Sequence, residues 1–486
     1  MSIATNLEKL ETDITNAYSA INTKGGAIPS DKNTNNLSTA ISSIPSGGGD
    51  AVIEKDVNFY DYGGTLVDSY TSSEFANLSS LPNNPTQEGL TAQGWNWTLS
   101  NAKTYVNNYG KLDIGQNYDT SDGKTKLYVE IQEYKKHVYV GFGINGSATI
   151  NWGDNTTSTL TGTSISTVVY AEHTYSQSGD YVITIESSAN INILGSNDGS
   201  YIFTGRHDTA NQNRAVLNSV KKIELGNHVT KIGSYGFAFM PSLEYVTIPT
   251  SVTSIEADMF FYCNSIKFCV IPKGITSIPT NAFQNCYSLE GISLSETCST
   301  LNSNSFYGCS KLKRITIPTG ATSLGSNIFY NCYSLKEVIL PNNYTAIGNS
   351  CFYNCQALDS TIPSTVTTIG SAAFQGNGKA KGFIVPVGVT SIQSNAFNVC
   401  TATSYYKFLG AIASIAQSAF YQNASVEFYD FTNCTRVPTL SSTNAFVGMN
   451  YSKIVVPDSL YDSWIAASNW SNYASNIIKE SDWNAS

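Results

Sequence analysis

The run ATSLGSNIFYNCYSLKEVILP, from Ala321 to Pro341, returns in altered form as VTSIEADMFFYCNSIKFCVIP, from Val252 to Pro272. Both follow V-T-S-I-x-x-x-x-F-x-x-C-x-x-L-x-x-I-x-I-P. The phenylalanine marks the count: Phe237, Phe260, Phe283, Phe306, Phe329, Phe352, Phe374, Phe397, Phe420 and Phe446 lie 23 residues apart, with one step of 22 and a last one of 26. A fixed period in the twenties is the mark of small supersecondary units that cannot bury their apolar faces alone and do so by stacking. About half of the chain is therefore expected to be a solenoid of about ten 23-residue units, closed at both ends by something else.

Three residues after the repeat Phe stands Cys263, Cys286, Cys309, Cys332, Cys355 or Cys400; Met240, Asn377 and Asn423 depart from this. All ten cysteines lie at or after Cys263, and the four histidines precede them. Unpaired Cys packs as a small hydrophobe, so the column is expected to be buried, reduced and metal-free. One residue after the Phe, Phe261, Tyr307, Tyr330, Tyr353 and Tyr421 recur, and Tyr287 and Tyr333 follow the Cys. Stacked rungs would set Tyr307, Tyr330 and Tyr353 in a row ~4.7–5 Å apart. Such a row either offers rings and phenols to a glycan or merely covers the solenoid ridge.

Charged residues make up 13% of the chain and net charge is −9. No run of basic residues suits a phosphate backbone, which sets nucleic acid aside. The first twenty residues hold no basic and apolar leader, and no run of ~18 apolar residues could insert in a bilayer. The expectation is a chain without an export signal and without membrane insertion. No GxSxG, HExxH, Walker A or dinucleotide fingerprint occurs, so no catalytic residues, metal or cofactor are expected.

Ahead of the repeats, Leu7, Leu10, Ile14, Ala17 and Ile21 form an a/d seam over about two heptads. It fits a helical hairpin with Leu37, Ala40, Ile41 and Ile44, or a self-association element, such as a homotrimer, that attaches the chain to a larger assembly. Residues 1–46 are this helical segment and 47–51 a Gly-rich linker. Residues 52–115 read as a small α+β unit with strands at Val57–Tyr60 and Thr65–Tyr70. Its helices are expected near Thr71, capped through Glu74, and over Asn101–Asn108, stopped by Gly110. Trp95 and Trp97 would share one strand face, as core or as a sugar platform. Residues 116–195 read as all-β, with Tyr128–Ile131, Val138–Phe142 and Ala148–Trp152 separated by turns. Residues 196–456 are the repeats. Residues 457–486 are a C-terminal helical cap in which Asp458 caps a helix presenting Leu460, Trp464 and Ile465.

Two family resemblances follow. The repeat pattern over Val220–Val456 resembles the BspA-like leucine-rich repeats of bacterial and protist surface antigens. NWGDN (Asn151–Asn155) with HTYSQSGDYVITI (His173–Ile185) resembles the polycystic-kidney-disease (PKD)-type immunoglobulin-like sandwich: Trp152, Gly153, Asp154, His173, Thr174, Tyr175, Gly179, Tyr181, Ile183 and Ile185 fit, and Asn155 departs. That resemblance implies a non-catalytic spacer or adhesive module; Asp154 is read as a turn former rather than a Ca²⁺ ligand. Residues 4–46 and the Tyr60–Trp97 segment look like stretches of phage tail proteins. The whole is thus a multidomain, β-rich chain with two functional readings. One is a host-recognising phage tail or virion component, joined to other tail proteins through its N-terminus and binding a bacterial surface receptor or glycan. The other is a bacterial cell-surface adhesin.

Overall fold

The structure, a computed structural model, describes residues 54–134, 136–195, 201–202, 205–206, 219–359 and 362–484. The expected N-terminal hairpin, the linker and the seam Leu7, Leu10, Ile14, Ala17 and Ile21 lie outside the described residues. From Glu54 onward the chain forms one unit.

The α+β segment is a four-stranded sheet in the order β2 (Leu66–Tyr70), β1 (Val57–Tyr60), β4 (Leu112–Thr120), β3 (Leu90–Trp95), with β1 and β4 parallel. Helix α1 (Ser72–Ala76) starts at the expected capping box: Glu74 N–H donates to the Thr71 hydroxyl and Thr71 N–H to the Glu74 carboxylate. Helix α2 (Leu99–Tyr109) ends at Gly110, whose φ of 82° is the left-handed cap that glycine adopts without strain. Strand β3 stops at Trp95, so Trp97 does not share its strand as expected. Both rings are nevertheless buried, and no face is left for a sugar.

A domain boundary at residue 115 is not what the structure shows, because β4 runs through it. Gly115 is glycine for another reason: a Cβ there would sit 2.7 Å from the Val270 side chain and 2.9 Å from Ser293. The α+β segment lies on the solenoid at this point.

Strands β5 (Thr125–Ile131), β6 (His137–Asn151), β7 (Thr157–Thr174), β8 (Gly179–Ser187) and β9 (Ile191–Ile193) follow. The turn expected between Val138–Phe142 and Ala148–Trp152 is absent. Pairing with β7 carries the chain straight through as one strand, and the glycines serve a register shift between Gly143 and Ile144. Nor do these strands end before the repeats. β5 pairs antiparallel with the first long repeat strand, Val220–Glu224, and β9 pairs parallel with the first short one, Val229–Ile232. All belong to one nine-stranded sheet, and a single apolar core runs from Leu127 to Ile477. The segment thereby covers the first rung, whose Val220, Ile223 and Leu225 would otherwise face water. At this junction His228 accepts from the Thr125 hydroxyl through Nε2 (3.0 Å) and donates through Nδ1 to the Gly123 carbonyl (3.0 Å). Thr125 in turn accepts from Gly226 N–H (2.9 Å).

Among the described residues the repeat unit is a long strand, a short strand and a turn around the Phe, with no long strand over residues 358–363. Strands pair in parallel with their counterparts in the next unit, as Arg314 with Glu337 and Ser323 with Ala346. In the Phe turn the residues two before and two after the Phe are left-handed: Asn281 and Asn285, Asn327 and Asn331, Asn395 and Val399. Alternating handedness turns every second N–H to the same side. Asn281, Phe283 and Asn285 accordingly donate to the carbonyls of Ser303, Ser305 and Tyr307 on the next rung, at 3.2, 2.8 and 2.7 Å. Asn tolerates this conformation better than other non-glycine residues, which explains its recurrence.

The Cys column has a physical explanation beyond packing. Each thiol donates to the carbonyl of the previous rung's Phe: Cys286 to Phe260 (3.1 Å), Cys309 to Phe283 (3.1 Å), Cys332 to Phe306 (3.2 Å) and Cys400 to Phe374 (3.3 Å). Where Asn stands instead, its amide does the same, Asn377 to Phe352 (3.2 Å) and Asn423 to Phe397 (2.9 Å). Met240 belongs to the first Phe-bearing unit, with no earlier repeat Phe to satisfy. All ten cysteines are free and buried, and burial pushes the Cys263 and Cys400 thiols up to about 12.

The C-terminal segment closes the other end. It comprises α3 (Tyr461–Ala466), a 3₁₀ turn (Trp470–Asn476), a strand (Ile477–Lys479) and α4 (Glu480–Asn484). Ile477–Lys479 adds to the long-strand column, and Trp464 and Trp470 are fully buried. Asp458 does not cap the helix carrying Trp464. It sits in a preceding 3₁₀ turn and accepts from Ser481 N–H (3.0 Å), because α3 begins only at Tyr461. Since every Phe turn donates toward the C-terminus, the last one needs a substitute acceptor. The Tyr473 hydroxyl takes Phe446 N–H (3.3 Å) and donates onward to the Thr443 carbonyl.

Candidate functional site

The α+β segment decides which solenoid face is free. It covers the outer side of the long strands from Phe268 to Ile339. The Asn96 amide donates to the Ile271 and Ser293 carbonyls, Trp97 Nε1 to Leu294 (2.8 Å) and the Tyr105 hydroxyl to Ile317 (2.8 Å). Arg314 forms a paired contact with Asp113 (2.5 and 2.9 Å), and Lys111 meets Glu337 at 2.8 Å. The short-strand side, with Thr300, Ser323 and Thr345 exposed, and the ridge of Phe turns lie outside this contact.

On that ridge the expected tyrosine row forms. Tyr307 stacks on Tyr330 with centroids 4.7 Å apart, and Tyr330 on Tyr353 at 4.3 Å, the planes parallel within a few degrees. The rings occupy one another's faces, so the central ring has none to offer and only edges and hydroxyls point outward. Burial, then the Tyr353 and Tyr307 phenols, raise the Tyr330 hydroxyl above its usual range. Phe261 is not continuous with it; it packs with Phe239 and Tyr262 near the first rungs. Tyr421 is separated from Tyr353 by the Gln375 and Asn398 rungs.

Tyr287 and Tyr333 behave differently. They are 42% and 41% exposed and flank a cleft of about 450 Å³ lined by Tyr262, Asn285, Tyr307, Gly308, Ser310 and Asn331. Sequence inspection singled out the two tyrosines and Tyr307 but not Tyr262, Asn285, Gly308, Ser310 or Asn331. The signal was present: two residues after the Phe, Asn285, Gly308, Asn331 and Asn354 succeed one another, and the glycine breaks the asparagine column. Among the described residues no three or more His, Cys, Asp or Glu side chains converge as a metal would need. None of the described helices is long and apolar enough to cross a membrane. Asp154 closes its own turn: burial opposes its ionisation, but bonds from Thr156 and His173 outweigh this and lower its carboxyl.

Residues 215–336 and 345–463 match the BspA type leucine rich repeat region, in six copies. The solenoid is a BspA-type leucine-rich-repeat array. This BspA-type array accounts for just under half of the chain, and no curated protein matches the sequence. Among solved structures, a leucine rich cell surface protein from Faecalibacterium prausnitzii is 22% identical, with 62% of this chain and 94% of that one covered and a TM-score of 0.35. A T. pallidum leucine rich repeat protein is 26% identical over 33% and 77% of the two chains, TM-score 0.31. The pneumococcal vaccine antigen PcpA is 17% identical over 52% and 64%, TM-score 0.31.

Proposed function

We propose that this protein is a cell-surface recognition protein, an adhesin that acts by binding and not by catalysis, with the BspA-type array as its binding module. The observation that carries this reading is the array itself: its sequence matches the BspA type, and its repeat pattern resembles that of bacterial and protist surface antigens. The open ridge supports it, since aromatic rings, amides and hydroxyls are the groups that read a glycan or a protein surface with little dependence on charge. Surface biotinylation of intact bacterial cells that produce the protein tests it. The protein is expected in the labelled fraction, and confinement to the cytosol would sink the proposal.

A second reading, a phage tail component, rests on the apolar seam from Leu7 to Ile21 and on ten buried unpaired thiols, which suit assembly in a reducing compartment. Mass spectrometry of purified virions separates the two. Under either reading the seam is proposed to join the chain to its own copies or to a larger assembly. Light scattering of the chain with and without residues 1–49 should show a trimer only in the longer form.

A further inference from the structure

Asparagines recur two residues after the Phe as a ladder, whose one bond between adjacent rungs, among the described residues, runs from the Asn354 amide nitrogen to the Asn331 amide oxygen at 3.0 Å. Gly308 interrupts it. Asn285 Oδ1 leans over Gly308, where a Cβ would run into it, and Asn285 is 7% exposed. Among the described residues its side-chain amide has no hydrogen-bond partner, and neither does the Asn331 amide nitrogen. An acceptor and a donor therefore face each other across one empty rung, inside the cleft described above.

Two residues further along the same rungs stand Tyr287, Ser310 and Tyr333. A small residue thus lies between two exposed rings at equivalent positions. They are two rung spacings apart, about 10 Å at ~4.8 Å per rung. One saturated six-membered ring fits midway, about 5 Å from each, within the range of ring contacts. No Lys, Arg, Asp or Glu lines the cleft, so the ligand is uncharged. The ligand must also accept from Asn331 and donate to Asn285, which a sugar hydroxyl pair does. A Pro-rich peptide would run along several rungs at ~3.1 Å per residue, whereas here the exposed tyrosines stand on the two rungs that flank Gly308.

We propose that this slot binds one neutral pyranose unit of a glycan, stacked between Tyr287 and Tyr333 and hydrogen-bonded to Asn285 and Asn331. The inference rests on the surface-recognition reading and gives it a ligand class. The ladder's second break, at Gly376, provides an internal control: Asn354 Oδ1 leans over Gly376 in the same way, but the neighbouring rungs carry Gln356, Gly378 and Thr401 instead of tyrosines.

Saturation-transfer NMR on the full chain, with the methyl glycosides of glucose, galactose, mannose and N-acetylglucosamine, tests the slot. At least one glycoside should show transfer. Tyr287→Ser, Tyr333→Ser and Gly308→Asn should each weaken its binding tenfold or more. Gly308→Asn restores the residue that neighbouring rungs carry in the left-handed conformation, so it should fold normally while filling the cleft. Gly376→Asn should leave binding unchanged. Transfer that persists in all three slot variants overturns the proposal. So does absence of transfer from all four glycosides, or a Pro-rich peptide that binds and is lost in the same variants. Surface labelling is read separately, so failure of the slot leaves the surface role standing, and failure of the surface role leaves the sugar result legible.

Discussion

Why Cys and Asn alternate in one buried column, when neither size nor polarity is shared, becomes clear at the Phe carbonyls. Both residues are donors, and a carbonyl sealed between rungs must find one. Cys332→Val keeps the apolar volume and removes the donor to Phe306; the cost should be about 1–3 kcal/mol, that of an unsatisfied buried group. Cys332→Ser, which keeps a donor, should cost less. Urea denaturation of the two variants checks the order, and a valine variant as stable as the parent would reduce the column to packing. Thiols this deeply buried should also resist Ellman's reagent until the chain unfolds.

Strands of two to four residues owe their persistence to neighbours on each side, so the ends of the array are its weak points. Tyr473 stands in for a missing rung by accepting Phe446 N–H. Tyr473→Phe keeps the ring but not the acceptor and should destabilise by about 1–2 kcal/mol, visible as a lower urea midpoint. On the flank, Trp97 fastens the α+β segment to the strand face. Trp97→Ala should cost about 3–5 kcal/mol, as for other buried aromatic truncations. Limited proteolysis should then cut between residues 54 and 120 before it reaches the repeats. A uniform loss of protection along the chain would show instead that segment and array unfold together.

One core joins the β-rich segment to the array, and His228 lies at their junction. Burial lowers its pKa, against the opposing help of the Gly123 carbonyl. The folded state therefore holds this histidine neutral where the unfolded chain would already charge it. Its contribution is complete above the ordinary histidine value of ~6.5 and is lost as pH falls through that value toward the depressed one, by at most ~1.4 kcal/mol per pH unit. Unfolding at pH 7 and pH 5.5 should show the loss in the parent and a smaller one in His228→Gln; equal losses would remove His228 as the sensitive group.

The repeat was legible without coordinates because its period, its Phe and its six or so apolar slots are local in the chain, and a unit of that kind has one way to bury its face. The capping box at Thr71 and the stop at Gly110 were legible for the same reason. Contacts between residues far apart in the chain were not. Gly115 looked like a boundary until Val270 was found against it, and the glycines of β6 looked like a turn until β7 was found alongside. The tyrosine row could be counted from the sequence. That its rings would spend their faces on one another, while the missing side chain at Gly308 opened a cleft beside them, depended on the pitch of the stack, which only the folded chain defines.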